Sequence, residues 1–217
     1  MNTELFLFRR VSFQYGEEII LDNFSLEIER GDVIAFKGES GSGKTTILKL
    51  LLGFEQPDSG EIRYKEEPMN AETVKQLRRE SAWLPQDLNL GSGRVLDVIK
   101  FPLEFRNNNS QQFEKSKAES MLHELGLEPS VLEKNFRDLS TGQRQRIGLT
   151  ICLLLDRPIL FLDEPTSALD EESVSRVKEV LRKRDDRTVI STSHDPAWLE
   201  YCNRIIEIET KYQNQNR

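Results

Sequence analysis

Gly38-Glu39-Ser40-Gly41-Ser42-Gly43-Lys44-Thr45 fits the pattern GxxxxGK[ST] without a gap. Glycines at this density let the main chain curl around an anion and turn several N–H groups inward. A helix starting near Lys44 adds the positive end of its dipole. Lys44 brings a cation for the outer phosphates of a nucleotide, and Thr45 a hydroxyl that can ligate Mg²⁺. Thr46, next in line, completes this group of candidate contacts. Farther along, the apolar run Ile159 to Leu162 ends in Asp163-Glu164. A buried parallel strand that delivers carboxylates at its C-terminal end is the usual site geometry of open α/β sheets. Asp163 can hold Mg²⁺ through water, and Glu164 can polarise an attacking water. A chance glycine-rich turn is the bland alternative for the loop, and two acids after a strand are by themselves more often a solvated turn. Together they read as a nucleotide site equipped for hydrolysis.

These groups need elements to position them. The first thirty residues alternate like strands, with Val11, Phe13 and Tyr15 on one face and Phe24, Leu26 and Ile28 repeating the pattern after a turn near Gly16. Glu29 to Asp32 reads as a turn and Val33 to Phe36 as a short apolar strand that runs into the glycine-rich loop. The stretch ILKLLLGF reads as a helix ending near Gly53, and Pro57 to Gly60 as a turn before the strand GEIRY. From about 87 to 138 the texture is helical. The cluster Asn107 to Asn109 opens a stretch in which Phe113, Ala118, Met121, Leu122 and Leu125 recur at helical spacing. From Leu139 onward the pattern gives a helix, the strand ILFLD, a helix through about Arg184, the strand TVIST and a final strand RIIEIE. Alternating strands and helices imply a largely parallel sheet covered on both faces.

Composition bounds the alternatives. In 217 residues, 37% are hydrophobic and 31% charged, which fits a globular chain with one substantial core. No apolar run approaches the roughly 20 residues that cross a bilayer, and the N-terminus lacks the order of a secretion signal. A cytoplasmic location is expected, with any membrane role exerted through a partner. The net charge of −7 argues against broad nucleic-acid binding. Cys152 and Cys202 stand far apart, without metal-ligand spacing, and read as reduced, mostly buried thiols. The run Leu181 to Arg187 mixes both signs and reads as a solvated helix end.

Between the two acidic and glycine-rich motifs lies Leu139-Ser140-Thr141-Gly142-Gln143-Arg144-Gln145-Arg146, which resembles the signature of the ABC ATPases, usually LSGGQ. Ser167 to Asp170 is similar to that family's D-loop, His194 to its switch histidine, Gln86 to its Q-loop glutamine and Tyr15 to the aromatic that stacks on adenine. These elements stand in the family's order from Tyr15 to His194, nearly the whole chain. The resemblance implies an α/β fold: a P-loop NTPase core with a mainly parallel sheet, an N-terminal antiparallel β subdomain and a helical subdomain inserted at about 87–138. One domain is expected over 1–211, with a frayed tail at 212–217.

The family likeness also implies roles. ATP and Mg²⁺ would be the cofactors, with Thr45, Gln86 and Asp163 at the metal and Glu164, His194, Lys44 and Gln86 in the chemistry. Gly38 to Thr46, Tyr15, Ser140, Gly142 and Gln143 would contact nucleotide. His194 is expected to make a polar contact to the γ-phosphate rather than to act as a free base. Two copies would sandwich two ATP molecules, the loop of one facing the signature of the other. A separate transmembrane permease subunit would hold the chain at the inner face of the cell membrane. Thr141 departs from the usual glycine and would be strained if its φ were positive. The segments VLDVIKFPLEFRNNN and LEPSVLEKNFRDLS are similar to a bacterial group associated with metal export, iron in particular. A soluble ABC ATPase acting on a protein assembly, such as iron–sulfur cluster assembly, is the other reading.

Overall fold

A computed structural model of the chain describes residues 3–105, 113–184 and 186–209. Two strands open it, β1 (Glu4–Tyr15) and β2 (Glu18–Glu29), joined by a tight turn in which Gly16 takes φ 60°. Next come β3 (Val33–Lys37), α1 (Lys44–Leu51), β4 (Ser59–Tyr64) and β5 (Glu67–Pro68). The antiparallel sheet has the order β2-β1-β4-β5. Its inner face carries Phe6, Phe8 and Tyr64, all buried.

Residues 71–84 show no plain periodicity in the sequence, yet they form α2 (Ala71–Glu80) and β6 (Ser81–Leu84). A reciprocal cap starts α2: the Asn70 side chain accepts the Glu72 and Thr73 N–H groups, and Thr73 Oγ1 accepts the Asn70 N–H. Then follow α3 (Val95–Leu103), α4 (Lys115–Glu124), two short 3₁₀ turns at Pro129–Glu133 and Phe136–Asp138, and α5 (Thr141–Leu154). The chain continues through β7 (Ile159–Asp163), α6 (Glu171–Arg182), β8 (Thr188–Thr192), α7 (Pro196–Leu199) and β9 (Arg204–Glu207). The second sheet is wholly parallel, in the order β6-β7-β8-β3-β9.

One apolar cluster fills the space between the two sheets, with Phe6, Phe36, Ile47, Phe161 and Ile190 among its members. A second covers the other face of the parallel sheet, where Leu84, Leu149, Leu160, Leu162, Val177 and Trp198 meet. A third holds α3, α4 and the 3₁₀ turns together through Val95, Ile99, Leu122, Phe136 and Ile147. Helix α5 serves both of the last two clusters, so it is buried around most of its circumference. It is the rod that joins the helical insertion to the sheet.

In the span 87–138, the described residues form α3, α4 and the two 3₁₀ turns joined by loops, with one isolated bridge, Arg94 to Asn135. Its second helix is described from Lys115; Asn107 to Asn109, and the tail at 212–217, lie outside the described residues. Two expectations need correction. Helix α6 stops at Arg182 rather than near Arg184. The run through Arg187 is not all solvated, because Arg187 is buried and its guanidinium pairs with Asp156.

Candidate functional site

The carboxyl ends of β3, β7 and β8 are level because the register is. Phe36 and Asp163 both pair with Thr192 across the parallel sheet. The segments leaving these three strands therefore emerge side by side at one edge. They line a cleft of about 700 Å³.

The segment after β3 is the glycine-rich loop. Gly43, the residue before α1, takes φ 93°, and a Cβ there would come within 2.4 Å of Ile20 on β2. Only glycine fits that turn. Lys44, the first residue of α1, is largely buried, and its ammonium group donates to the carbonyls of Gly38 at 2.9 Å and Glu39 at 2.8 Å. Gly38, Glu39, Ser40, Gly41, Gly43, Thr45 and Thr46 all line the cleft; Ser42 is buried inside the loop.

Facing the loop, Asp163 ends β7 and Glu164 follows it. Thr45 donates to Asp163 Oδ1 at 3.2 Å, so the first turn of α1 and the end of β7 meet. Thr192 at the end of β8 fixes both acids. Its hydroxyl donates to Asp163 Oδ1 at 2.6 Å and accepts the Glu164 N–H at 2.9 Å. Glu164 adopts φ 50°, a left-handed conformation uncommon for its residue type and frequent at functional sites. His194, two residues past β8, places Nδ1 3.1 Å from Glu164 Oε2.

Tyr15 stands at the cleft's rim, 42% exposed, with its ring edge-on to Phe13 and its hydroxyl donating to Glu55 at 3.0 Å. Burial and then the Glu55 carboxylate raise the tyrosine pKa, which keeps the phenol protonated. Gln86 lines the cleft and also a neighbouring groove of about 400 Å³, whose walls include Leu88, Phe136, Arg137, Thr141 and Arg144.

Ser140, Gly142 and Gln143 do not line the cleft. They begin α5 instead. The Ser140 hydroxyl accepts the Gln143 N–H, and Gln143 Oε1 accepts the Ser140 N–H, a reciprocal cap that occupies the glutamine side chain. Gly142 lies against the main chain after Ser167; a Cβ there would be 2.6 Å from the Ala168 carbonyl oxygen. Thr141 is the first helical residue and its φ is not positive, so its β-branch carries no left-handed strain.

Four further residues contribute beyond those expected from the sequence. Glu18 and Ile20 close the cleft from β2. Thr192 sits in plain strand sequence, and only the strand register reveals that it lies beside Asp163. Gln145, flanked by Arg144 and Arg146 within the signature-like run, is a buried amide, and its partner follows only from how α5 lies on the sheet.

The donor set suits a small hard cation. The Thr45 hydroxyl, the Gln86 amide and the Asp163 carboxylate are oxygen donors, and one carboxylate with phosphate oxygens is how Mg²⁺ is commonly held. Among the described residues, no group of three or more His, Cys, Asp or Glu side chains could hold a metal by itself.

A family model described as "ABC transporter" matches residues 21–167, more than half of the chain. The chain is 36% identical over 209 residues to an ATP-dependent lipid A-core flippase of Alkalilimnicola ehrlichii, covering 93% of this chain and 36% of that protein. Identity is also 36% over 209 residues with the ribose import ATP-binding protein RbsA of Caldanaerobacter subterraneus, covering 93% of this chain and 41% of that one. The chain thus spans little more than a third of the length of such relatives. The dimeric post-hydrolysis structure of the ATP-binding cassette MJ0796, bound to ADP and Pi, superposes with a TM-score of 0.81 at 26% identity over 95% of both chains. Sequence, fold and cleft agree on one assignment: the chain belongs to the ABC transporter family.

Proposed function

We propose that this chain is the motor of an ABC transporter, binding ATP between two copies of itself and driving a transmembrane permease subunit. One observation carries the two-copy reading. Lys44, Thr45, Asp163, Glu164 and His194 share a cleft, while Ser140, at the start of α5, is not part of it. A helix start offering a hydroxyl and N–H groups suits a γ-phosphate. A second copy would bring it to the open side of the first copy's nucleotide.

Within each site the Lys44 ammonium and the loop N–H groups hold the phosphates. Mg²⁺, held by Thr45, Gln86 and Asp163, would neutralise charge on the phosphate oxygens. Glu164 orients the attacking water, and His194, within reach of Glu164, fixes its carboxylate and meets the γ-phosphate. Tyr15 supplies the platform for the adenine. Hydrolysis removes the phosphate that links the copies, and the dimer opens.

Among the described residues no helix is long and apolar enough to cross a membrane. The reading therefore places the chain at the inner face of the cell membrane through its partner, with the groove beside Gln86 receiving a segment of the permease. A metal ion such as iron is the cargo, on the likeness of the segments around α3 and before Ser140 to metal exporters; of the first, residues 106–109 lie outside the described residues.

Light scattering of Glu164→Gln in Mg-ATP tests the sandwich: a stable dimer is expected, and a persistent monomer overturns it. Co-purification from membranes with a multi-span protein, and iron-stimulated ATPase activity of that complex, are expected for the transport reading. A chain that purifies only with soluble protein assemblies would overturn it.

A further inference from the structure

Gln145 is 3% exposed, on the face of α5 that turns toward the end of β7. A buried amide needs partners. Its Nε2 donates to the main-chain carbonyl of Glu164 at 2.7 Å. That carbonyl also accepts from the Ser167 hydroxyl at 3.1 Å and the Ser167 N–H at 3.3 Å, both within its own turn. On the other side, the Glu164 N–H is held by Thr192. The left-handed peptide of Glu164 is therefore pinned from β8 on its amide side and from α5 on its carbonyl side.

The same helix starts at Ser140, five residues before Gln145, a rigid span of roughly 7 Å. Between them Gly142 rests on the Ala168 carbonyl, so α5 touches the turn that follows Glu164 at two points. Any shift of the Ser140 end along or about the helix axis must move the Gln145 amide, and with it the peptide that aims the Glu164 carboxylate.

We propose that Gln145 is a positioning residue for Glu164, and that it couples the two ATP sites of the dimer. Ser140 of one copy engages the partner copy's nucleotide; Gln145, on the same helix, sets the catalytic carboxylate of its own copy. Occupancy of one composite site is thereby read in the geometry of the other. This coupling rests on the sandwich reading given above; the positioning of Glu164 rests on geometry within one chain.

Gln145→Met keeps length and helix preference but removes the donor. The expected result is a fall in kcat of about 10- to 100-fold with KM for ATP and ATP affinity unchanged within about twofold. A kcat within twofold of the parent, or a loss confined to KM, overturns the positioning role. Gln145→Glu adds a readout that a packing role would not move. Its carboxylate repels the carbonyl at pH 8, whereas its protonated form can donate, so its kcat relative to Gln145→Met should rise toward pH 6; a flat ratio counts against the role. If neither variant folds by circular dichroism, Gln145 is a structural residue and the proposal falls.

Coupling is read from the double variant Ser140→Ala, Gln145→Met. Two defects on one lever should not multiply, so its kcat should lie within about threefold of the lower single variant. Multiplying defects overturn the coupling. If Glu164→Gln fails to dimerise in Mg-ATP, the sandwich reading fails; if it dimerises and Gln145→Met turns over normally, only this inference does.

Discussion

The His194 imidazole nitrogen Nδ1 lies 3.1 Å from Glu164 Oε2, joining the segments that leave β8 and β7. The two environments are unequal: the His194 side chain is 71% exposed and that of Glu164 9%. An exposed group that orients a buried one contributes to turnover more than to folding.

His194→Ala should accordingly lower kcat by about 10- to 100-fold while KM for ATP changes little. Unfolding free energy should shift by no more than about 0.5 kcal/mol, as for other surface changes. Phosphate release and urea denaturation check the two halves; an unaltered kcat would remove His194 from the machinery.

Lys44→Ala takes away the cation that bridges the loop carbonyls. Loss of a charged hydrogen bond to phosphate, worth about 1.5–3 kcal/mol, predicts at least a tenfold fall in nucleotide affinity together with near-complete loss of turnover. Titration with a fluorescent nucleotide reads the first and phosphate release the second. Unchanged ATPase activity would refute the site.

Thr192→Val replaces a hydroxyl with a methyl of similar shape. Asp163 loses its 2.6 Å donor and the Glu164 N–H loses its nearer acceptor, keeping only the Thr192 carbonyl at 3.2 Å. A loss of about 1–3 kcal/mol in urea unfolding is expected, with reduced turnover at saturating Mg-ATP. A neutral outcome in both would mean that strand pairing alone holds the acids.

Thr141→Gly restores the residue usual in the family signature. Because Thr141 is the first helical residue with no positive φ, the change relieves no strain, and stability should move by less than about 1 kcal/mol. Activity should be kept or raised. Complete loss would show that the start of α5 is not the phosphate-facing element.

The thiols give a test of packing that is independent of nucleotide. Burial pushes the Cys152 thiol pKa up to about 12 and that of Cys202 up to about 11. At pH 8 the thiolate fraction of Cys152 is on the order of 1 in 10,000, so labelling of the native chain should be far slower than in denaturant. Rapid native labelling at Cys152 would contradict the packing of α5 against the sheet.

Much of this could be read from the sequence, because strong local patterns carried it. The loop before Lys44 and the apolar strand before Asp163 state their chemistry and their elements together. Helix α2 and strand β6 were harder: four residues of alternating burial make a weak period, and the cap at Asn70 uses Thr73 where a glutamate would be the more familiar sign. The roles of Thr192 and Gln145 are set by strand register and by how α5 lies on the sheet, which no local spacing encodes. Arg187 shows the same limit. Asp186 beside it is charged and exposed, while its partner, Asp156, lies in the turn that precedes β7.

An ammonium group in water surrenders a firmly held hydration shell whenever it meets an anion, and that surrender offsets much of the attraction. The Lys44 ammonium already rests on two main-chain oxygens, those of Gly38 and Glu39. Most of its dehydration is thus complete before a triphosphate arrives. In the proposed cycle the lysine then has a seat to return to when spent nucleotide leaves, and the socket needs no refolding before the next round.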